Sequence, residues 1–110
     1  MANSQDYIDF LLDQLSGFRT VRTKRMFGGH GIFAGDLMFA LVVNDQLYLK
    51  ADANLAAVFI DEGCQQFTYQ KQGKTAHINY YTAPEETLDD PDIMTQWAER
   101  AYQVALRAQV

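Results

Sequence analysis

A chain of 110 residues is long enough for one domain with a hydrophobic core, and its 48% hydrophobic and 21% charged residues exclude a disordered or fibrous protein. The formal net charge of −5 argues against direct DNA binding, because neutralising phosphates requires an excess of Lys and Arg. We find no basic, apolar leader and no apolar stretch of membrane-spanning length, so we expect a cytoplasmic protein that does not bind membranes.

The residues that carry most enzyme chemistry are scarce. Cys64 is the single cysteine, and the two histidines, His30 and His77, lie far from it and from each other. A disulfide within the chain is therefore impossible, and a zinc site lacks ligands. We also find no nucleophile with a neighbouring base. We expect no enzymatic activity, no metal and no cofactor.

The chain begins with a predicted helix over residues 3–16. Asn3 or Ser4 can cap it, an apolar stripe follows at helical spacing, and Gly17 ends it. The next residues, 18–29, contain four of the nine basic residues within seven positions, and Thr and Val between them favour an extended backbone. These four are Arg19, Arg22, Lys24 and Arg25.

This basic segment is interpreted as a first or edge strand, and its charges have two explanations. Basic side chains on an edge strand discourage aggregation through strand pairing. They can also form a docking site for an acidic partner protein. The glycines of Gly28–Gly31 fit neither the dinucleotide-binding nor the P-loop spacing, so we favour a bulge or a close backbone approach there.

The centre of the chain predicts a meander of three or more strands. Leu37–Val43 is apolar throughout and lies between two turn signals, Gly35-Asp36 and Asn44-Asp45. Such a run predicts a strand that is buried on both faces, because a half-buried strand alternates apolar with polar residues. The segments on either side, Gly31–Ala34 and Gln46–Lys50, are its predicted partners.

The second half predicts a helix, a hairpin and a last helix. Leu55–Glu62 is the helix, and Phe67–Tyr69 with Ala76–Tyr81 forms the hairpin. After an acidic run, Asp90-Pro91 starts a last helix of about four turns. The order helix, three strands, helix, two strands, helix predicts one α+β domain over residues 1–110. Its architecture is a two-layer sandwich with an antiparallel sheet of about five strands.

Short blocks over nearly the whole chain resemble the N-terminal domain of TfoX/Sxy regulators. This resemblance implies a fold similar to that of secretion chaperones and a link to the regulation of competence for DNA uptake, and it supplies no catalytic residues. The blocks are Arg25-Met26-Phe27-Gly28-Gly29, Gly31-Ile32-Phe33, Met38-Phe39-Ala40-Leu41, Leu47-Tyr48-Leu49-Lys50, Gly73-Lys74, Tyr80-Tyr81, Pro84-Glu85-Glu86, Asp89-Asp90-Pro91, Trp97-Ala98 and Ala101.

In a two-layer sandwich the helices cover one face of the sheet, and the other face remains for partners. Simple alternation from Leu37 predicts that Phe39, Leu41 and Val43 face the helices. The opposite set is then apolar enough to form a homodimer interface. The predicted dimer face comprises Met38, Ala40, Val42, Tyr48 and Tyr81.

Two functions follow from the sequence. The first is a non-catalytic regulatory or adaptor domain that acts through protein contacts as a homodimer. The alternative is a small-molecule or nucleotide-binding module, which would use the Gly28–Gly31 loop with Lys24, Arg25, Lys71 and Lys74. Convergence of these basic side chains on one pocket would favour the alternative, and their dispersal along an edge would favour the first function.

Overall fold

Four consecutive strands follow the first helix in the computed structural model, which describes residues 3–26 and 28–109. A second helix separates these strands from a hairpin, and two helices complete the chain. The elements are α1 (Gln5–Gln14), β1 (Val21–Met26), β2 (Gly29–Ala34), β3 (Leu37–Val43), β4 (Gln46–Lys50), α2 (Ala53–Asp61), β5 (Gln66–Lys71), β6 (Lys74–Thr82), α3 (Glu86–Asp89) and α4 (Pro91–Ala108).

Side-chain caps define where three of the helices begin. The hydroxyl of Ser4 accepts a hydrogen bond from the amide of Tyr7, and the Asp52 carboxylate accepts one from the amide of Leu55. Asp90 caps α4 and is followed by proline at the first helical position, as predicted. No helix among the described residues is both long and apolar enough to cross a membrane.

All neighbouring strands are antiparallel, in the order β1-β2-β3-β4-β6-β5. The predicted α+β sandwich is confirmed, but the sheet has six strands instead of about five. The sixth strand is the basic segment Val21–Met26, which was predicted as a first or edge strand but was not counted among the three strands before the second helix. It pairs along its whole length with Gly29–Ala34. The meander therefore has four strands, and the chain closes with two helices because α3 forms a single turn before α4.

The helices cover one face of this sheet and enclose the hydrophobic core. From the sheet, Phe39, Leu47 and Leu49 are almost completely buried in this cluster. From the helices, Phe59 packs between two aromatic rings, with centroid distances of 5.1 Å to Trp97 and 5.7 Å to Tyr81. Trp97 is thus a core anchor.

The predicted assignment of β3 side chains to the two faces is wrong beyond Phe39. The pairing of β2 with β3 shifts at this point: Phe33 lies opposite Met38 and Ile32 opposite Ala40, which leaves Phe39 as an extra residue. Such a bulge interrupts the alternation of faces, so Phe39 and Ala40 both belong to the helix-side core.

The bulge also decides which residues can form an interface. Ala40 and Val42 have no exposed surface and Tyr81 has 6%, and all three pack in the core under the helices. They cannot belong to the predicted dimer face. Leu41, which was expected in the core, lies on the opposite side of the sheet with its strand partner Tyr48.

Candidate functional site

The sheet surface that the helices leave uncovered is apolar at its centre. We call it the open face. Its apolar side chains are buried or half-buried, yet none belongs to the core cluster or to the residues that pack against it. Strand pairing sets Leu41 opposite Tyr48 and Phe33 opposite Met38, so each pair shares this side of the sheet. The apolar residues of the open face are Met26, Phe33, Met38, Leu41, Val43, Tyr48, Phe67, Ile78 and Tyr80.

Aromatic contacts connect the strands across the open face. The rings of Tyr48 and Phe67 meet edge to face, with centroids 4.9 Å apart and planes at 76°. Phe67 also lies 6.2 Å from Tyr69 on the protruding half of the hairpin. Neighbouring side chains leave Leu41 1% and Tyr80 6% exposed. The open face is therefore packed even though no helix covers it.

Gly31 is buried beneath two methionine side chains of this surface. A Cβ atom at Gly31 would lie 2.7 Å from Sδ of Met38, 3.0 Å from Sδ of Met26 and 3.2 Å from Cε1 of Phe33. Glycine thus lets both methionines approach the backbone of β2. Methionine side chains adapt readily to different partner shapes, which suits an interface.

Charge is distributed unevenly between the two sides of the molecule. The six described strands contain no Asp or Glu, although the chain has 14 acidic residues. They contain six of its nine basic residues, and strand alternation places five of these six on the open face. The five are Arg22, Lys24, Lys50, Lys71 and Lys74.

Two of these cations lie over aromatic rings of the open face. Cζ of Arg22 is 4.7 Å from the ring centre of Phe33, and Nζ of Lys50 is 5.1 Å from that of Tyr80. Arg22 also lies 3.9 Å from Asp36 in the β2–β3 turn, but both side chains are exposed and this pair is weak. The basic groups therefore border an apolar, aromatic centre.

The four predicted partner-binding residues do not form one cluster. Arg19 lies on the helix side, where it pairs with Glu99 at 3.1 Å and covers the ring of Tyr102 at 4.2 Å. Arg25 alternates to the face opposite Lys24, and it lines a cavity of about 360 Å³ with Asn3, Met26, Gly28, Gly29 and His30. Only Arg22 and Lys24 belong to the open face.

The residues of the nucleotide-binding alternative do not converge either. Lys24 and Arg25 are on β1, whereas Lys71 and Lys74 lie beside the β5–β6 turn at the other edge of the sheet. The glycines have a structural role, because a Cβ at Gly29 would lie 2.2 Å from the carbonyl oxygen of Val42. This is the close backbone approach that the sequence predicted.

The sequence-based dimer face is thus divided between the two sides of the sheet. Met38 and Tyr48 lie on the open face, whereas Ala40, Val42 and Tyr81 lie in the core. Sequence reasoning missed the contribution of the hairpin, Phe67 and Tyr80, and that of Lys50. The strands' lack of acidic residues was the available signal for a basic face.

Cys64 packs against the core cluster, outside this face. Burial raises the pKa of the Cys64 thiol, so the reactive thiolate is disfavoured at neutral pH. Within residues 3–26 and 28–109, no group of three or more His, Cys, Asp or Glu side chains could hold a metal ion. On the open face, burial raises the pKa of Tyr80 to about 12.

Comparison with known proteins relates this chain to one family. The model of the TfoX N-terminal domain matches residues 13–105. DNA transformation protein TfoX of Haemophilus influenzae is 37% identical over 79 residues, which cover 71% of this chain and 36% of that protein. TfoX1 of Aliivibrio fischeri, also called a DNA transformation protein, is 37% identical over 62 residues, or 56% of this chain and 30% of its own.

A third relative, protein Sxy of Escherichia coli, is 29% identical over 73 residues, which cover 66% of this chain. The matched segments span about a third of the length of these curated relatives, between 30% and 36%. The family match extends from the end of α1 to the last turns of α4 and includes every strand. The chain therefore belongs to the TfoX N-terminal domain family.

Proposed function

We propose that this chain is a non-catalytic regulatory domain of the TfoX type, which acts in the cytoplasm by binding another protein through the open face. The names of two relatives connect the family with DNA transformation, so the process we assign is the control of competence for DNA uptake. The observation that carries the proposal is the uncovered, aromatic and methionine-containing sheet surface.

The composition of the open face supports protein contact. Interface centres are enriched in Tyr, Phe, Met and Arg and depleted of acidic residues, and the open face has this composition. Its ionisable groups are ammonium, guanidinium and phenol, which offer no nucleophile paired with a base. The phenol of Tyr80, with its raised pKa of about 12, remains protonated at neutral pH and cannot act as a base there.

A genetic experiment tests the role in competence. In the bacterium that encodes the chain, the gene is deleted and replaced by wild type or by a double variant, Tyr48→Asp with Phe67→Asp. The two rings are in contact on the open face, and carboxylates there would oppose binding of an apolar partner. We expect the double variant to lower transformation frequency, and transcript levels of DNA-uptake genes, as much as the deletion does.

The control is Ile60→Asp, which places one carboxylate, against two in the double variant, at an apolar residue of α2 that is 60% exposed on the helix side. It should restore transformation fully. Immunoblots and thermal melts must show equal amounts of folded protein for all variants. Wild-type transformation by the double variant would refute a role for the open face, and an unaffected deletion strain would refute the assignment to competence.

A further inference from the structure

We infer that the partner segment on the open face is acidic and amphipathic, with apolar side chains for the centre and Asp or Glu for the basic border. The inference rests on the proposed function, in which the open face binds a protein, and it adds the chemistry of that protein. Its basis is the separation of charge between the two sides of the sheet.

This separation makes the surface charge of the molecule asymmetric. The open face carries five basic side chains on a chain whose net charge is −5, so the helix side and the turns carry the acidic excess. An acidic segment is attracted to one side of the molecule and repelled from the other. Complementary charge of this kind steers encounter and fixes orientation.

The position of the cations favours an amphipathic segment over one that is merely acidic. Arg22 and Lys24 lie on the first strand of the sheet, and Lys50, Lys71 and Lys74 lie on the last three. The apolar residues Leu41, Met38 and Tyr48 lie between them, on β3 and β4. A partner that fills the centre with apolar groups can thus reach cations on both sides with carboxylates.

A second copy of the chain suits this face poorly. A symmetric pairing through the open face would bring five basic side chains against the same five, which is unfavourable. Placing the acidic helix side of one copy on the open face of the next would leave both outer surfaces free, so assembly would not close. The homodimer predicted from the sequence stays a prediction, for which the open face is a poor surface.

A single-stranded nucleic acid suits the face less well than an acidic protein. Bases bind such surfaces by stacking on free aromatic ring faces. Here Arg22 covers Phe33, Lys50 covers Tyr80, and the rings of Tyr48 and Phe67 are engaged edge to face at 76°. The 14 acidic residues elsewhere on the chain also repel phosphates.

The width of the sheet sets the length of the segment. Six strands at a spacing of about 4.8 Å span roughly 24 Å from the first strand to the last. A helix that crosses this distance has about 16 residues at 1.5 Å per residue. A random library of peptides of about this length is therefore a suitable probe.

The experiment selects displayed random peptides of 16 residues on the wild-type chain, with counter-selection on the double variant Arg22→Glu with Lys50→Glu. We expect the enriched peptides to have a net negative charge and apolar residues at helical spacing. Synthetic versions of these peptides should bind the wild-type chain in fluorescence anisotropy. Their affinity for Arg22→Glu or Lys50→Glu should be about ten-fold lower. Their affinity should fall as salt is raised.

The control variant is Arg100→Glu, which makes the same change of charge at an exposed residue of α4 on the helix side. It should bind the selected peptides as wild type does. Failure to enrich peptides, enrichment without an acidic bias, or equal binding by all variants would overturn the inference.

Two further measurements identify competing occupants, and either result would also overturn the inference. A 20-nucleotide oligothymidine that binds more tightly than the selected peptides, and loses affinity in the same variants, would identify a nucleic acid. Sedimentation of wild type at twice the chain mass of 12.5 kDa, abolished by the same variants, would identify a second copy. If transformation depends on Tyr48 and Phe67 but the peptides show no acidic bias, the proposed function stands and this inference fails.

Discussion

Nζ of Lys50 lies 5.1 Å from the ring centre of Tyr80, its direct partner across strands β4 and β6. The Tyr80 hydroxyl is close to the backbone of β3, where it donates a long hydrogen bond of 3.4 Å to the carbonyl of Met38. Tyr80 is thereby buried on the open face by its neighbours, and the loss of solvent raises the pKa of its phenol to about 12.

Tyr80→Phe should make the protein more resistant to alkali. The pKa of Tyr80 is about 12 in the folded protein and about 10 in the unfolded chain. The contribution of Tyr80 to the free energy of unfolding is therefore fully present below pH 10 and is lost as the pH rises from 10 towards 12. Between pH 9 and 11 the wild type should lose about 1 kcal/mol more than Tyr80→Phe. Urea unfolding at both pH values measures this, and equal losses would show that Tyr80 is not shielded from water.

Asp52 joins the start of α2 to the end of α4. Its carboxylate accepts the Leu55 amide at 2.9 Å and forms an ion pair with Arg107 at 2.8 Å. These interactions, with the backbone hydrogen bond first, lower the pKa of Asp52. Asp52→Ala should cost about 1 kcal/mol at pH 7 through loss of the cap. Asp52→Asn keeps a capping side chain and should cost less, because exposed ion pairs contribute little.

The pH dependence of the Asp52 variants has a definite sign. Because its pKa is lowered in the folded state, Asp52 stabilises the fold above its unfolded pKa, and this contribution disappears as pH falls through the folded value. The stability difference between wild type and Asp52→Asn should therefore shrink on acidification from pH 7 to pH 2. Guanidinium unfolding at the two pH values is the measurement, and a constant difference would contradict the pKa shift.

Helix starts and tight turns were predictable from the sequence. The capping residues Ser4 and Asp90 act on amides three and two positions ahead, so neighbouring residues suffice to identify them. Asn44 and Asp45 form the β3–β4 turn with φ values of 53° and 56°, as that pair suggested. Each of these features depends on a few consecutive residues.

The assignment of faces was not predictable, because it depends on the partner strand. Leu37–Val43 is apolar at every position, so no alternation reveals its register, and the bulge at Phe39 appears only when β2 pairs with it. The basic border was missed for a similar reason. Lys50, Lys71 and Lys74 are separated in sequence and share a face only after β4, β6 and β5 assemble.

Gly29→Ala should be strongly destabilising, although the substitution adds one methyl group. The new Cβ would lie 2.2 Å from the backbone carbonyl oxygen of Val42, and this atom cannot move without displacing β3. We expect a loss of about 3 kcal/mol. Gly17→Ala is the control, because its Cβ would lie at an ordinary 3.7 Å from Oγ1 of Thr95 and should change stability by less than about 1 kcal/mol. Equal urea midpoints for the two variants would contradict this account of the β2–β3 contact.

Two neighbouring residues of β3 test the corrected assignment of faces. On the dimer face predicted from the sequence, which included Val42, Val42→Lys would leave the fold intact and abolish self-association. Val42 is instead completely buried under the helices, opposite Leu47. A lysine there would place an unpaired charge in the core and cost several kcal/mol, a large part of the about 5–15 kcal/mol that stabilises a domain.

Val43→Lys makes the same chemical change one residue later, on the open face, where Val43 is half-buried opposite Gln46 at the end of the strand. The lysine can extend its ammonium group into water, so we expect a loss below about 1 kcal/mol. Circular dichroism and urea unfolding of the two variants are the measurements. A folded Val42→Lys together with an unfolded Val43→Lys would restore the original assignment and return Leu41 to the core.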